Sequence, residues 1–111
     1  MRFADVIGQE RLKAELVRLA DNGRTPHATL FAEDAGSGAL PLTLSFIQYL
    51  SCKARSEGDS CGVCPSCSKI SKMVHPDLHF AFPVTASSSG ASKTVSDNFI
   101  SVWREKAFQN P

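Results

Sequence analysis

Apolar residues recur at three- and four-residue intervals in some stretches of the chain and run together in two short ones. Leu12, Leu16, Leu19 and Ala20 share one helical face. Arg11, Lys13, Glu15 and Arg18 fall mostly on the others, so the spacing predicts an amphipathic helix over residues 5–22. Asn22-Gly23 supplies its stop. Leu40, Leu44, Ile47 and Leu50 repeat the pattern, with Pro41 placed where a first helical turn tolerates it. Residues 66–73 extend as a short helix. Phe99, Val102, Trp103, Ala107 and Phe108 predict a last helix within residues 95–108. The two continuous apolar runs, 28–32 and 78–82, are too short for helices and predict buried strands, the second ended by Pro83. Residues 28–50 then run strand, glycine turn, helix, the opening of a βαβ unit. The predicted fold class is α/β with a parallel sheet.

Composition narrows the function classes. The chain has 111 residues, enough for one small domain or a piece of a larger one. Hydrophobic residues make up 42% and charged residues 21%, which excludes a wholly disordered chain. Twelve Lys and Arg against eleven Asp and Glu leave a formal +1 and argue against a dedicated nucleic-acid-coating domain. No apolar run reaches the length of a membrane span, so no membrane partner is expected. The N-terminus lacks an apolar signal core, and the expected location is cytoplasmic. The Ser/Gly/Ala-rich stretch within residues 84–93 predicts a flexible surface loop.

Cysteine usage changes the picture most. Cys52, Cys61, Cys64 and Cys67 have the spacing C-x8-C-x2-C-x2-C. Cysteines two residues apart let a turn aim two sulfurs at one ion, and four thiolates give zinc the tetrahedral soft shell it accepts. Such a shell leaves no open position for substrate, so the metal is expected to be structural. Four thiolates subtract four charges and a zinc ion adds two, moving the formal +1 to −1. Lys53, Arg55, Lys69 and Lys72 lie near in sequence and either offset that charge or are plain surface cations. Iron–sulfur ligation stands second, because no C-x3-C-P follows the run. A thiol redox pair stands third.

The turn between the predicted strand and helix sits where a phosphate-binding loop belongs. Aligning Gly38 with the last glycine of G-x-x-x-x-G-K-[ST] puts Glu33 at the first glycine, Ala39 at the lysine and Leu40 at the hydroxyl, with Gly36 between. Ala39 cannot reach phosphate, Leu40 cannot hold magnesium, and the Glu33 carboxylate repels polyphosphate. The loop reads as a vestige, and no nucleotide cofactor is expected.

Taken together, four stretches resemble the N-terminal part of the bacterial DNA polymerase III clamp-loader subunits, the delta-prime and gamma/tau group. They are residues 3–10 (FADVIGQE), residues 26–31 (PHATLF), the four-cysteine insert and residues 75–78 (HPDL). The resemblance covers roughly residues 3–83 and implies a AAA+ fold. That is a parallel sheet with helices on both faces, carrying a zinc module at 52–67 within a domain fragment that fills residues 1–111. In that sheet the two strands of this chain would not be neighbours, so the sheet is expected to be incomplete. The same resemblance implies that the four cysteines ligate zinc. It also implies that Gly8 and Gln9 lie in the stretch that meets adenine in active relatives. Gamma/tau subunits keep the loop lysine, whereas delta-prime subunits often lack a working loop, and Ala39 and Leu40 favour delta-prime.

The expected function is that of a non-catalytic clamp-loader subunit of DNA polymerase III. It would assemble with gamma/tau and delta partners and reach DNA and the sliding clamp indirectly. A gamma/tau-like ATP-binding subunit and a zinc-dependent nucleic-acid module remain alternatives. His27, His75 and His79 read as structural or solvated beside four sufficient cysteines. Trp103 with Phe99 and Phe108 reads as core or interface.

Overall fold

The computed structural model describes residues 1–84 and 99–109, with side chains described through residue 107. Among the described residues, four helices follow a short 3-10 turn at Phe3–Asp5: α1 at Glu10–Asp21, α2 at Ala39–Ser51, α3 at Pro65–Ser71 and α4 at Ile100–Gln109. The chain divides into two units, Met1–His75 and Pro76–Pro111.

In the first unit, Asp5 closes the N-terminal turn by accepting the Arg2 N–H at 2.9 Å. Gln9 adopts a left-handed conformation at φ 59° and turns the chain into α1. Helix α1 buries Lys13, Leu16 and Ala20. That face is rotated from the one predicted, since Leu12 is 40% exposed. Lys13 is buried because its ammonium donates to the Val6 carbonyl at 2.5 Å and to Glu10 at 3.0 Å, while its methylenes cover the core. Helix α2 carries the longest apolar face and buries Leu42, Leu44, Ser45, Phe46, Gln48 and Tyr49. Ser45 is tolerated there because its hydroxyl donates back to the Pro41 carbonyl at 2.7 Å.

The core joins the N-terminal turn to both helices: Phe3 and Val6, Leu16 and Ala20, then Leu42, Phe46 and Tyr49. Phe3 and Tyr49 pack with ring centroids 5.6 Å apart, and Phe31 meets Phe46 at 6.4 Å. The Tyr49 hydroxyl donates to Asp21 at 2.6 Å and so ties the end of α2 to the end of α1.

The parallel sheet is not there. Among the described residues no strand forms, and the sole β feature is an isolated antiparallel bridge between Ser56 and Asp59. Residues 28–32 belong to the loop before α2. Phe31 packs on the core from there, while Leu30 is 89% exposed. A buried strand would cover both residues and pair its backbone groups on a neighbour. This run finds no neighbour among the described residues, and apolar character alone does not make a strand. The second predicted run, 78–82, likewise forms no strand among the described residues. The α/β, AAA+-type expectation is therefore replaced by a small helical arrangement around a cysteine loop.

In the second unit, half-buried Trp103 of α4 packs against Phe80 at 4.6 Å and stacks on Phe82 at 5.5 Å. The predicted helix over 95–108 appears at Ile100–Gln109, and residues 95–98 lie outside the described ones. The loop predicted over 84–93 lies outside them too, apart from Val84. No helix of the described residues is long and apolar enough to cross a membrane.

Candidate functional site

Helix α2 delivers Cys52 as its C-terminal cap, where the chain turns to extended backbone at φ −69° and ψ 131°. The loop that follows returns through Gly58, at φ +74°, to Cys61. Gly62, at φ +75°, then turns it toward Cys64. Cys64 caps α3, its sulfur accepting the Cys67 N–H, and Pro65 occupies the first helical position, where no N–H is needed. Cys67, on the first turn of α3, is fully buried.

These turns bring the four sulfurs together, all within 4.8 Å of one another. Cys61 and Cys67 stand 3.9 Å apart, and none of the four is in a disulfide. Tetrahedral zinc–thiolate bonds of about 2.3 Å place sulfurs ~3.8 Å apart, so the cluster is near the size of a four-sulfur shell. Backbone N–H groups point at the sulfurs. Cys52 accepts from Ala54 at 3.4 Å and from Cys61 at 3.3 Å, Cys61 accepts from Cys64 at 3.3 Å, and Cys64 accepts from Cys67 at 3.4 Å. Such donors favour the thiolate. The N–H groups of Cys67 and Lys53 pull the Cys64 thiol down to about 6. Those of Val63 and Cys64 lower Cys61. Burial, reinforced by the Cys64 side chain, pushes Cys67 up to about 12 without an ion. A cluster with two sulfurs eased toward thiolate and one held neutral by burial is suited to an ion that supplies the missing positive charge. The four cysteines can hold a metal ion.

The Arg55 guanidinium lies 5.1 Å over the Tyr49 ring and 3.9 Å from Asp21. The histidines are not members of the cluster. Instead the N-terminal segment lies on the cysteine loop. Asp59 accepts the Phe3 N–H at 2.9 Å and the Ala4 N–H at 3.1 Å, and its first oxygen also takes the Ser60 N–H at 2.8 Å. The Met1 ammonium donates to Gln48 at 2.7 Å, and Gln48 passes a second bond to Ser60 at 3.0 Å. Arg2 crosses Gly62 so closely that a Cβ there would meet its Cδ at 3.1 Å. Sequence reasoning missed Asp59, Gln48 and Arg2. Their partners lie up to 56 residues away, and no local pattern marks them.

At the other end of α2, the turn after residues 28–32 positions Glu33, Gly36, Gly38, Ala39 and Leu40. Gly36 at φ +86° and Gly38 at φ +91° bend the chain into the helix. The Glu33 carboxylate accepts the Ala39 N–H at 2.6 Å and the Ser37 hydroxyl at 2.9 Å. Those two contacts and the Gly38 N–H hold its carboxyl below the usual range. The carboxylate thus fills the position that an anion takes at a helix N-terminus. Leu40 is 39% exposed. Beside this turn runs an apolar groove of about 500 Å³ lined by Leu12, Leu16, Leu19, Phe31 and Leu42.

Comparison with known proteins gives one consistent neighbourhood. DNA polymerase III subunit gamma/tau of Mycobacterium tuberculosis is 38% identical over 65 residues, which cover 59% of this chain and 11% of that protein. DNA polymerase III subunit tau of Escherichia coli is 34% identical over 76 residues, 68% of this chain and 12% of that protein. The chain thus matches only about a tenth of the length of these relatives. No solved structure gives a significant match. The family model described as DNA polymerase III, delta subunit, matches residues 8–109. With nearly its whole length taken in by that model, the chain belongs to the DNA polymerase III delta subunit family.

Proposed function

We propose that the chain serves as a non-catalytic, delta-prime-like clamp-loader subunit. It holds its place among gamma/tau and delta partners and leaves nucleotide chemistry, and contact with DNA and the sliding clamp, to them. The observation that carries this reading is Glu33. Its carboxylate sits on the Ala39 N–H, where a working phosphate loop would receive an anion. Ala39 and Leu40 offer neither the lysine nor the hydroxyl of such a loop. Together these features read as a degenerate phosphate loop.

Residues 52–67 act as a metal-binding module, with Cys52, Cys61, Cys64 and Cys67 as the ligands of a structural zinc ion. Support comes from the four-sulfur donor set, its near-tetrahedral size and the N–H groups aimed at it. Zinc there would cross-link the end of α2 to α3 and supply no reaction.

Titration with a fluorescent ATP analogue and magnesium tests the nucleotide reading. No binding is expected at micromolar concentrations. Binding should appear in the triple variant Glu33→Gly, Ala39→Lys, Leu40→Thr. The gamma/tau names of the curated relatives favour a second reading, an ATP-binding subunit. Micromolar binding by the unaltered chain would establish that one and remove the first. Metal analysis should return one zinc per chain.

A further inference from the structure

We propose that Met1–Asp5 is a metal-responsive strap, docked on the cysteine loop through Asp59 and released when the metal leaves. The inference rests on the four-cysteine cluster holding zinc.

The strap has few anchors of its own. Only the 3-10 turn at Phe3–Asp5 is local. Everything else that fixes it comes from elsewhere. Phe3 enters the core, and its N–H and that of Ala4 both end on Asp59. The Ser45 hydroxyl also touches the Arg2 carbonyl at 3.2 Å. Asp59 sits two residues before Cys61 in a loop that lacks regular structure apart from the Ser56–Asp59 bridge. What fixes Cys61 therefore fixes Asp59, and what frees it lets the carboxylate drift from the two strap N–H groups.

Charge points the same way. A zinc ion with four thiolates carries a net charge of −2. The strap brings the Met1 ammonium and the Arg2 guanidinium to the loop that holds it, and Met1 lies within electrostatic reach of Cys67. Gln48 and Ser60, both almost wholly buried, relay the contact from Met1 into the loop. Linkage then works in both directions: metal strengthens docking, and docking strengthens metal binding by the same factor.

Amide hydrogen exchange on the 111-residue chain, zinc-loaded and after chelation, tests this. Cobalt(II) serves as a separate spectroscopic probe of thiolate ligation. With metal, the Phe3 and Ala4 amides should be protected at least ~10-fold more than without it, while Leu16 and Ala20 in α1 change little. Asp59→Asn should weaken zinc binding by ~10-fold, in line with outer-shell partners of metal sites. Arg2→Gln should weaken it less, with a smaller salt dependence than the parent. Equal protection of Phe3 and Ala4 in a chain that does bind metal would overturn the strap and leave the zinc reading intact. Loss of protection throughout α1 on chelation would also overturn it, since the response would then be global. A chain giving no cobalt–thiolate absorption would overturn both.

Discussion

Tyr49 is the single tyrosine of the chain, so its ionisation can be followed without interference. Its ring is buried, and its hydroxyl donates to Asp21 at 2.6 Å. Burial, then the bond to Asp21, pushes the phenol from its ordinary 10 up to about 12. At 1.36 kcal/mol per pH unit that difference corresponds to about 2.7 kcal/mol. Asp21 is half exposed and solvent screens the charge, so a discounted value of about 1–2 kcal/mol is the reasonable expectation. The sign follows from the direction of the shift. The unfolded chain loses the phenol proton near 10 and the folded chain only near 12. The contribution is full below pH 10 and disappears as pH rises from 10 to 12. Absorbance at about 295 nm, where phenolate absorbs, should show a midpoint well above the ordinary tyrosine range. Urea unfolding at successive pH values should show the matching loss. Tyr49→Phe should remove this pH dependence and cost about 1.5 kcal/mol at neutral pH, the low end for a hydrogen bond to a charged group. A folded chain whose tyrosine titrates at its ordinary value would refute the reasoning, because the hydroxyl could not then be held between buried core and carboxylate.

Three further outcomes are expected. Leu42→Ala removes a side chain 2% exposed and should cost about 2–4 kcal/mol in urea unfolding, short of the upper limit because the site borders the open groove. Gly62→Ala places a Cβ on a backbone at φ +75° and should cost about 1–2 kcal/mol. In a chelator competition this reads as ~10-fold weaker zinc binding, and Gly62→Asn, which accepts that conformation better, should lose less. Cys64→Ser removes a proposed ligand while its hydroxyl can keep the α3 cap, and should lower zinc affinity by more than the ~10–100-fold typical of outer-shell changes.

Helices were the legible part of the fold. The spacing of Leu40, Leu44, Ile47 and Leu50 marks α2, though the structure begins it at Ala39 and, of those four, buries Leu44 alone, turning Leu42, Phe46 and Tyr49 inward instead. Buried Ser45 and Gln48 could not be anticipated, since each is admitted by a particular bond, one to Pro41 and one to Ser60. In α1 the buried face takes in Leu16 and Ala20, as the spacing predicts, but Lys13 rather than Leu12, because Lys13 is drawn inward by the Val6 carbonyl. The strands failed for a different reason. A run such as 28–32 shows a capacity to be buried, while a strand exists only through a partner that local sequence does not name. The cysteine cluster was legible because ligand spacing is itself a geometric constraint, and the four sulfurs do converge. Its outer contacts were not, because Asp59 and Phe3 meet across 56 residues of chain. For Glu33 the sequence showed a charge unsuited to phosphate. Only the fold reveals that this charge is already satisfied by the helix it precedes.

Helix α2 begins at the carboxylate-capped turn and ends one residue before Cys52. Its 13 residues span about 20 Å at 1.5 Å per residue. That length exceeds twice the ~8 Å screening distance at physiological salt. The charge of a metal at one end is therefore scarcely felt at the other, and only a tilt or rotation of the rod itself can carry a message between them. Substitutions at Glu33 and at the cysteines should consequently combine additively. The chain can then be engineered at either end as two separate devices mounted on one strut.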